Sequence, residues 1–284
     1  MTEFIERLRS IVGEKGIVQN EEMSGRSAGY SHPDRTLNAK VLIRPGTTDE
    51  VSRILKVCDE QKQSVVCHGG LTGLVDGSIA GENEVILSLE RMRKIEEIDT
   101  DSATMTVQAG VTLQTVQETA EEAGFFFPLD LGGRGSATLG GNISTNAGGN
   151  RVIRYGMARD MVLGLEAVQA DGTIVSSLGL IIKDNAGYNL KHMFIGSEGT
   201  LGVVTRLVLR LRPKPASQQT AYVAVDKFDN LPRLLNFCNS RSGGCLSAFE
   251  AMWQNYFQLV TSRPGAAQPM SNGYPYYCLL YTSP

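Results

Sequence analysis

Two glycine-dense stretches hold the residues best placed to do chemistry in this 284-residue chain. The first runs His68-Gly69-Gly70-Leu71-Thr72-Gly73-Leu74-Val75-Asp76-Gly77-Ser78. The second runs Gly132-Gly133-Arg134-Gly135-Ser136-Ala137-Thr138-Leu139-Gly140-Gly141-Asn142 and continues to Asn146-Ala147-Gly148-Gly149. Without a Cβ, glycine lets backbone N–H groups approach a ligand closely, and successive N–H groups make a concavity that favours anions. Two such loops imply a ligand with a long phosphorylated body held at more than one point, a nucleotide cofactor. A single glycine loop is equally a plain turn, so the ordered series carries the reading. Common nucleotide signatures fail: Gly135 to Gly140 has Walker spacing, but Gly141-Asn142 stand where Lys-Ser/Thr belongs. No G-x-G-x-x-G lies between a strand and a helix with an acid at the right distance.

Other reactive residue types are sparse. The three histidines, His32, His68 and His192, have no metal-ligand spacing, so no metal site is expected here. His32 and His192 read as surface or boundary residues. Five scattered cysteines, Cys58, Cys67, Cys238, Cys245 and Cys278, form no C-x-x-C pair and read as reduced thiols. A net charge of −3 without a Lys/Arg cluster excludes a nucleic-acid surface. No apolar run is long enough to span a membrane. The first residues, Met1 to Leu8, are acidic and amphipathic rather than signal- or transit-like, which points to the cytoplasm, with the mitochondrial matrix as the alternative.

The elements that must position these loops follow from periodicity and turn chemistry. Residues 2–12 have helical spacing. Lys40 to Pro45 reads as a strand, and Thr47-Thr48-Asp49-Glu50 resembles a capping box opening a helix that turns Val51, Ile54, Leu55 and Val57 inward. Gln63 to Cys67 is a buried strand running straight into the first glycine loop. Strands follow at 84–89, 93–98 and 103–108, then a helix over 112–123 that ends at Gly124. Met161 to Ala170 is a strand that Asp171-Gly172 turns back into Thr173-Ile174-Val175. Leu201 to Leu211 is another strand. Pro213-Lys214-Pro215 marks a boundary, followed by a strand at 220–226 and helices near 230–240 and 247–260. Tyr276 to Tyr281 reads as a buried strand left with an unpaired edge near the end of the sequence, which suggests truncation. The organisation is α+β: a lead-in over 1–35, a cofactor domain over 36–215, and the start of a capping domain over 216–284.

Over about 36–215 the residues resemble the FAD-binding domain of the vanillyl-alcohol oxidase and p-cresol methylhydroxylase family, built of two α/β subdomains. The resemblance rests on the first glycine loop, Pro128-Leu129-Asp130, Ser136 to Gly149 and Tyr155-Gly156. It continues through Lys183-Asp184-Asn185-Ala186-Gly187-Tyr188-Asn189-Leu190 and Phe194 to Gly202. Pro128 to Gly132 and Leu246 to Glu250 are most similar to the D-2-hydroxyglutarate branch of its 2-hydroxy acid dehydrogenases. Glycolate and D-lactate enzymes share most of those residues.

The resemblance implies FAD-dependent oxidation of a D-2-hydroxy acid to the 2-oxo acid, with hydride passing to flavin N5. His68, Gly69, Gly70, Leu71, Thr72, Gly73 and Leu74 would cradle the pyrophosphate. Pro128, Asp130, Gly132, Ser136, Thr138, Gly140, Gly141 and Asn142 would line the phosphates and ribityl chain. Asn146, Ala147, Gly148, Tyr155 and Gly156 would flank the flavin, and Gly202, Val203 and Val204 its adenine end or ring edge. Some relatives tether FAD through a histidine directly after the Gly-Gly pair; Leu71 stands there, so a noncovalent flavin is expected. Lys183 and Glu198 lie in family motifs and read as a salt bridge or cap as readily as catalytic groups. The catalytic residues are unknown, and the resemblance places the base and a divalent-metal site beyond residue 284. A small 2-hydroxy acid, an unidentified electron acceptor and a homodimer complete the expected partners. A free-standing FAD-binding module without activity of its own remains the alternative.

Overall fold

The computed structural model describes residues 2–283, which divide into two compact units. Among those described, the first comprises 2–127, 131–147 and 158–212, and the second comprises 128–130, 148–157 and 213–283.

The first unit opens with α1 (Thr2–Val12), β1 (Ile17–Val18), β2 (Val41–Ile43), α2 (Thr48–Glu60), β3 (Val65–His68) and β4 (Val85–Ser88). The strands form a sheet in the order β1-β2-β4-β3, with β4 parallel to both of its neighbours and β1 antiparallel at the edge. Parallel strands need a crossover, and α2 supplies it between β2 and β3. It starts where the sequence says, because the Thr47 hydroxyl accepts from the Glu50 N–H at 3.1 Å. The Glu50 carboxylate reaches back to the Gly46 N–H at 2.6 Å, one residue upstream of the usual capping-box partner. Val51, Ile54, Leu55 and Val57 are buried as their spacing predicts, together with Cys58. Each large apolar side chain so buried stabilises by roughly 1.5–3 kcal/mol. β2 and β4 are buried throughout, the apolar run expected of strands covered on both faces.

A second sheet in the same unit is antiparallel. It contains β5 (Ile95–Asp99), β6 (Thr104–Gln108), β7 (Val162–Val168), β8 (Ile174–Ser177) and β9 (Val203–Arg210), in the order β5-β6-β9-β7-β8. The β7–β8 hairpin turns at Gly172, where φ is +85°. The Asp171 carboxylate accepts from both the amide and the hydroxyl of Thr173, at 2.8 and 3.0 Å. Short helices at Asn20–Ser24 and Lys191–Phe194 and two further ones belong to the same unit. α3 (Leu113–Glu122) is capped by Thr112 and stopped by Gly124 at φ +81°, and α4 (Leu139–Ser144) follows the second glycine stretch.

The second unit contains α5 (Val152–Tyr155), β10 (Gln219–Val225), α6 (Asn230–Arg241), β11 (Leu246–Trp253), α7 (Gln254–Thr261) and β12 (Tyr276–Thr282). Two expectations change here. The helix expected near 247–260 begins only at Gln254, and Leu246–Trp253 is a strand registered against β12 from Leu246↔Thr282 to Trp253↔Tyr276. Long-range pairing has overridden local helical spacing. β12 also has no bare edge within this unit: the order is β10-β12-β11, so the strand is flanked on both sides. Val225, Leu231, Leu246, Cys278 and Leu280 form the core, and Phe257 stacks on Tyr277 at 3.9 Å.

Candidate functional site

The first glycine loop leaves the end of β3, and two further segments of the first unit close around it. His68 is the last residue of that strand rather than part of the loop, and it is only 3% exposed. Its Nε2 lies 2.7 Å from the Ser78 carbonyl, which can only accept, so Nε2 carries the proton. Burial holds the imidazole below its ordinary pKa, and the ring is neutral at physiological pH.

Close approach of the two glycine stretches explains their composition. A Cβ on Gly70 would lie 2.0 Å from the Ser136 carbonyl oxygen, and one on Gly69 would lie 2.7 Å from Thr138 Oγ1. The requirement at Gly70 therefore comes from the neighbouring loop as much as from any ligand. Gly141 differs, since its Cβ would meet only Thr138 Oγ1, at 3.4 Å, and the Gly70 nitrogen, at 4.0 Å. The third segment is Phe194 to Gly202. The Glu198 amide donates to the Ser144 carbonyl at 2.9 Å, and Glu198 and Gly199 are both left-handed, at φ +53° and +81°.

Together these segments enclose a cavity of about 280 Å³. His68, Gly69, Gly70, Leu71, Thr72, Gly73, Thr138, Gly140, Gly141, Asn142, Ala147, Gly202, Val203 and Val204 line it, all singled out from the sequence. A second recess of about 270 Å³ shares Cys67, Gly199, Gly202 and Val203 with the first. Two recesses with common walls suit an elongated ligand. Thr138 Oγ1 and Asn142 Nδ2 are buried and have no hydrogen-bond partner among the described residues. Buried polar atoms are normally satisfied, so two orphans at one cavity mark where a ligand's acceptors belong. The described lining of the first cavity has no Lys or Arg; its formal charge is the Glu198 carboxylate. Anion binding there falls to backbone amides, hydroxyls and the Asn142 amide. Burial pushes the Cys67 thiol up to about 11, so it is no thiolate nucleophile.

The other residues singled out lie elsewhere. Leu74 is exposed at the tip of the first loop, Ser136 faces Gly70, and Gly132 has open space where a Cβ would stand. Asn146 is left-handed at φ +48°, and its side-chain oxygen accepts from the Arg159 amide at 3.0 Å. Pro128, Asp130, Gly148, Tyr155 and Gly156 belong to the second unit. There Asp130 pairs with Arg151 at 3.4 Å, the Arg154 guanidinium lies over the Tyr155 ring, and Gly156 turns at φ +80°. The sequence reading left out Cys67, Val75, Gly77, Ser78, Leu89, Leu131, Ser144, Thr145 and the Glu198-Gly199 pair from the lining. Val75, Gly77 and Ser78 lie in the first glycine stretch, and Leu131, Ser144, Thr145 and Glu198-Gly199 lie in the quoted motifs; Leu89 had no such signal. Glu198 lines the cavity rather than capping a helix.

Outside the cavity, His32 pairs with Asp76 at 2.7 Å. His192 accepts from Arg159 at 3.0 Å, and burial followed by the Arg159 charge holds its pKa down. Lys183 is exposed. Among the described residues no group of three or more His, Cys, Asp or Glu could hold a metal ion, and no helix is long and apolar enough to cross a membrane.

Residues 39–177 match a family model described as an FAD binding domain. D-2-hydroxyglutarate dehydrogenase, mitochondrial, of Arabidopsis thaliana is 40% identical over 277 residues, covering 97% of this chain and 49% of the relative. The protein of the same name from Bos taurus is 41% identical over 276 residues, covering 97% and 50%. The chain thus spans about half the length of the curated relatives it matches. Among solved structures, alkyldihydroxyacetonephosphate synthase superposes with a TM-score of 0.84 at 18% identity, over 99% of this chain and 56% of that one. p-Cresol methylhydroxylase with substrate bound superposes with a TM-score of 0.79 at 17% identity, over 99% and 60%.

Proposed function

Because residues 39–177 match an FAD binding domain and the fold superposes on that of p-cresol methylhydroxylase, we propose that the glycine-lined cavity of the first unit is its FAD site. The observation that carries the assignment is the pair of orphaned donors, Thr138 Oγ1 and Asn142 Nδ2, beside amides that only glycine allows so near. The pyrophosphate lies against Gly69 to Gly73 and Gly140-Gly141. Asn142 and Thr138 donate to its oxygens, and the remainder extends along Gly199 to Val204 into the second recess. The flavin is noncovalent, with Leu71 following the Gly-Gly pair. His68 is a fixed neutral donor that holds the Ser78 carbonyl, leaving the strand end rigid beneath the cofactor. When bound, FAD supplies a two-electron acceptor that no side chain offers.

The protein as a whole is proposed to oxidise a D-2-hydroxy acid, D-2-hydroxyglutarate first and glycolate or D-lactate as the alternatives. The curated relatives of that name support the reading. The mitochondrial designation of these relatives favours a mitochondrial location over the cytoplasm. The electron acceptor and the homodimer are carried forward as part of the same proposal, resting on the family resemblance alone.

Reconstitution tests the cofactor site. The folded chain should take up FAD, read by quenching of flavin fluorescence. Thr138→Val and Asn142→Leu should each weaken binding about ten- to a hundredfold, since a hydrogen bond to a charged group contributes about 1.5–3 kcal/mol. Undiminished affinity in both would place the cofactor elsewhere. Anaerobic mixing of the whole gene product with D-2-hydroxyglutarate should bleach the flavin, and the L-enantiomer should not.

A further inference from the structure

The matched FAD-binding segment begins at residue 39, yet the first glycine loop is held by residues that precede it. Residues 26–37 form a small hairpin: Ala28 N–H donates to the Arg35 carbonyl at 2.7 Å, Leu37 N–H to the Arg26 carbonyl at 3.0 Å, and Ser27 bridges Thr36. Its base is fixed. The Arg26 guanidinium grips both oxygens of Glu90, at 2.8 and 3.2 Å, and Ala28 and Leu37 are buried in a core with Leu42 and Ile86.

The tip of the hairpin lies on the glycine loop. Tyr30 N–H donates to the Leu71 carbonyl at 2.9 Å, Ser31 Oγ donates to the Gly73 carbonyl at 2.9 Å, and His32 Nε2 lies 2.7 Å from Asp76 Oδ1. A Cβ on Gly29, itself at φ +137°, would come within 3.1 Å of the Leu71 oxygen, so a side chain there would press on the contact. The described residues have no cis peptide bond, and in a trans peptide the C=O and the following N–H point in opposite directions. Two carbonyls turned onto the hairpin therefore turn the amides of Thr72 and Leu74 away from it, and Thr72 lines the cavity.

We propose that residues 26–37 are a strap that presets the first glycine loop for an anionic ligand, with Ser31 and His32 as positioning residues. The strap sets amide direction before the ligand arrives. Held loops release a ligand more slowly because less ordering remains to be undone. The inference rests on the cavity being the FAD site, and its test separates the two claims.

The full chain carrying Ser31→Ala with His32→Ala, loaded with FAD, is diluted into buffer and the return of flavin fluorescence is followed. With two of three strap contacts gone, release should quicken about tenfold, while the thermal midpoint of the apoprotein stays within a few degrees of the parent. His32→Gln, which keeps a side-chain N–H donor for Asp76, should restore most of the slow release. Hydrogen exchange of residues 71–76 in the apoprotein is read alongside and should speed up in the double variant. Unchanged release and unchanged exchange overturn the strap. Faster release that merely tracks a lowered melting temperature, unrescued by His32→Gln, overturns it too. If the parent chain takes up no FAD, the cofactor assignment fails instead, and exchange over 71–76 alone decides whether the loop is preset.

Discussion

At the scale of single residues, the glycines fall into different physical roles that substitution can separate. Gly70→Ala sets a methyl against the Ser136 carbonyl and should destabilise the fold by about 1–3 kcal/mol or more, as overpacking does. Gly73→Ala meets nothing within 4 Å and should leave stability unchanged. Gly141→Ala, with 3.4 Å to Thr138 Oγ1, should fold normally and lose FAD affinity, because its methyl stands between the loops. Urea midpoints and flavin titration check all three. If Gly70→Ala melts like the parent, the close approach of the loops is wrong. His68 gives a pH prediction. Its pKa in the fold lies below the ordinary 6.5, so the unfolded chain binds the proton more readily. Its contribution to stability is whole above pH 6.5 and is lost as pH falls through the lowered value. His68→Gln, which keeps a donor for the Ser78 carbonyl, should flatten stability between pH 7.5 and 5 relative to the parent. An equally steep decline would mean that another group titrates. Cavity residues were legible where glycine marked them. Leu89 carried no such mark, because tertiary packing alone brings its ordinary side chain to the wall.

Elements were legible wherever local chemistry and long-range pairing agree. α2 shows this: its cap, its inward face and its crossover role all follow from Thr47, Glu50 and the spacing of Val51, Ile54 and Leu55. Thr47→Ala should cost about 1 kcal/mol, the usual loss for an N-cap. Flavin affinity should not change, because the cap lies about two helical turns from Leu55, the first α2 side chain at the second recess. A drop in affinity equal to the drop in stability would show that α2 reports on the site after all. Leu246–Trp253 is the contrary case. Ala248, Ala251 and Met252 suit a helix as well as a strand, and only registry with Tyr276 to Thr282 decides. The apolar Tyr276–Thr282 run was readable as a strand, but its position between two partners was not. The strap at 26–37 was invisible for the same reason, since its hydrogen bonds join residues some forty positions apart that no motif connects.

At the scale of the molecule, holding flavin and using it are separate demands. The described residues bring together amides, Thr138 and Asn142 for a cofactor, but no cluster of histidines or acids for a metal. Lys183 is exposed and His192 is engaged by Arg159, so neither is placed as a base at the cavity. The 284-residue chain should therefore bind FAD yet leave it oxidised on anaerobic mixing with D-2-hydroxyglutarate. Bleaching by the D- and not the L-enantiomer would show that the chemistry resides in these residues. The central claim, a noncovalent FAD in the first unit, has a more direct test. The purified, FAD-loaded chain is denatured with acid and filtered, and flavin absorbance is read on both sides of the membrane. The account predicts close to one flavin per chain, all of it in the filtrate. Flavin retained with the polypeptide, or a folded chain that takes up none, would contradict it.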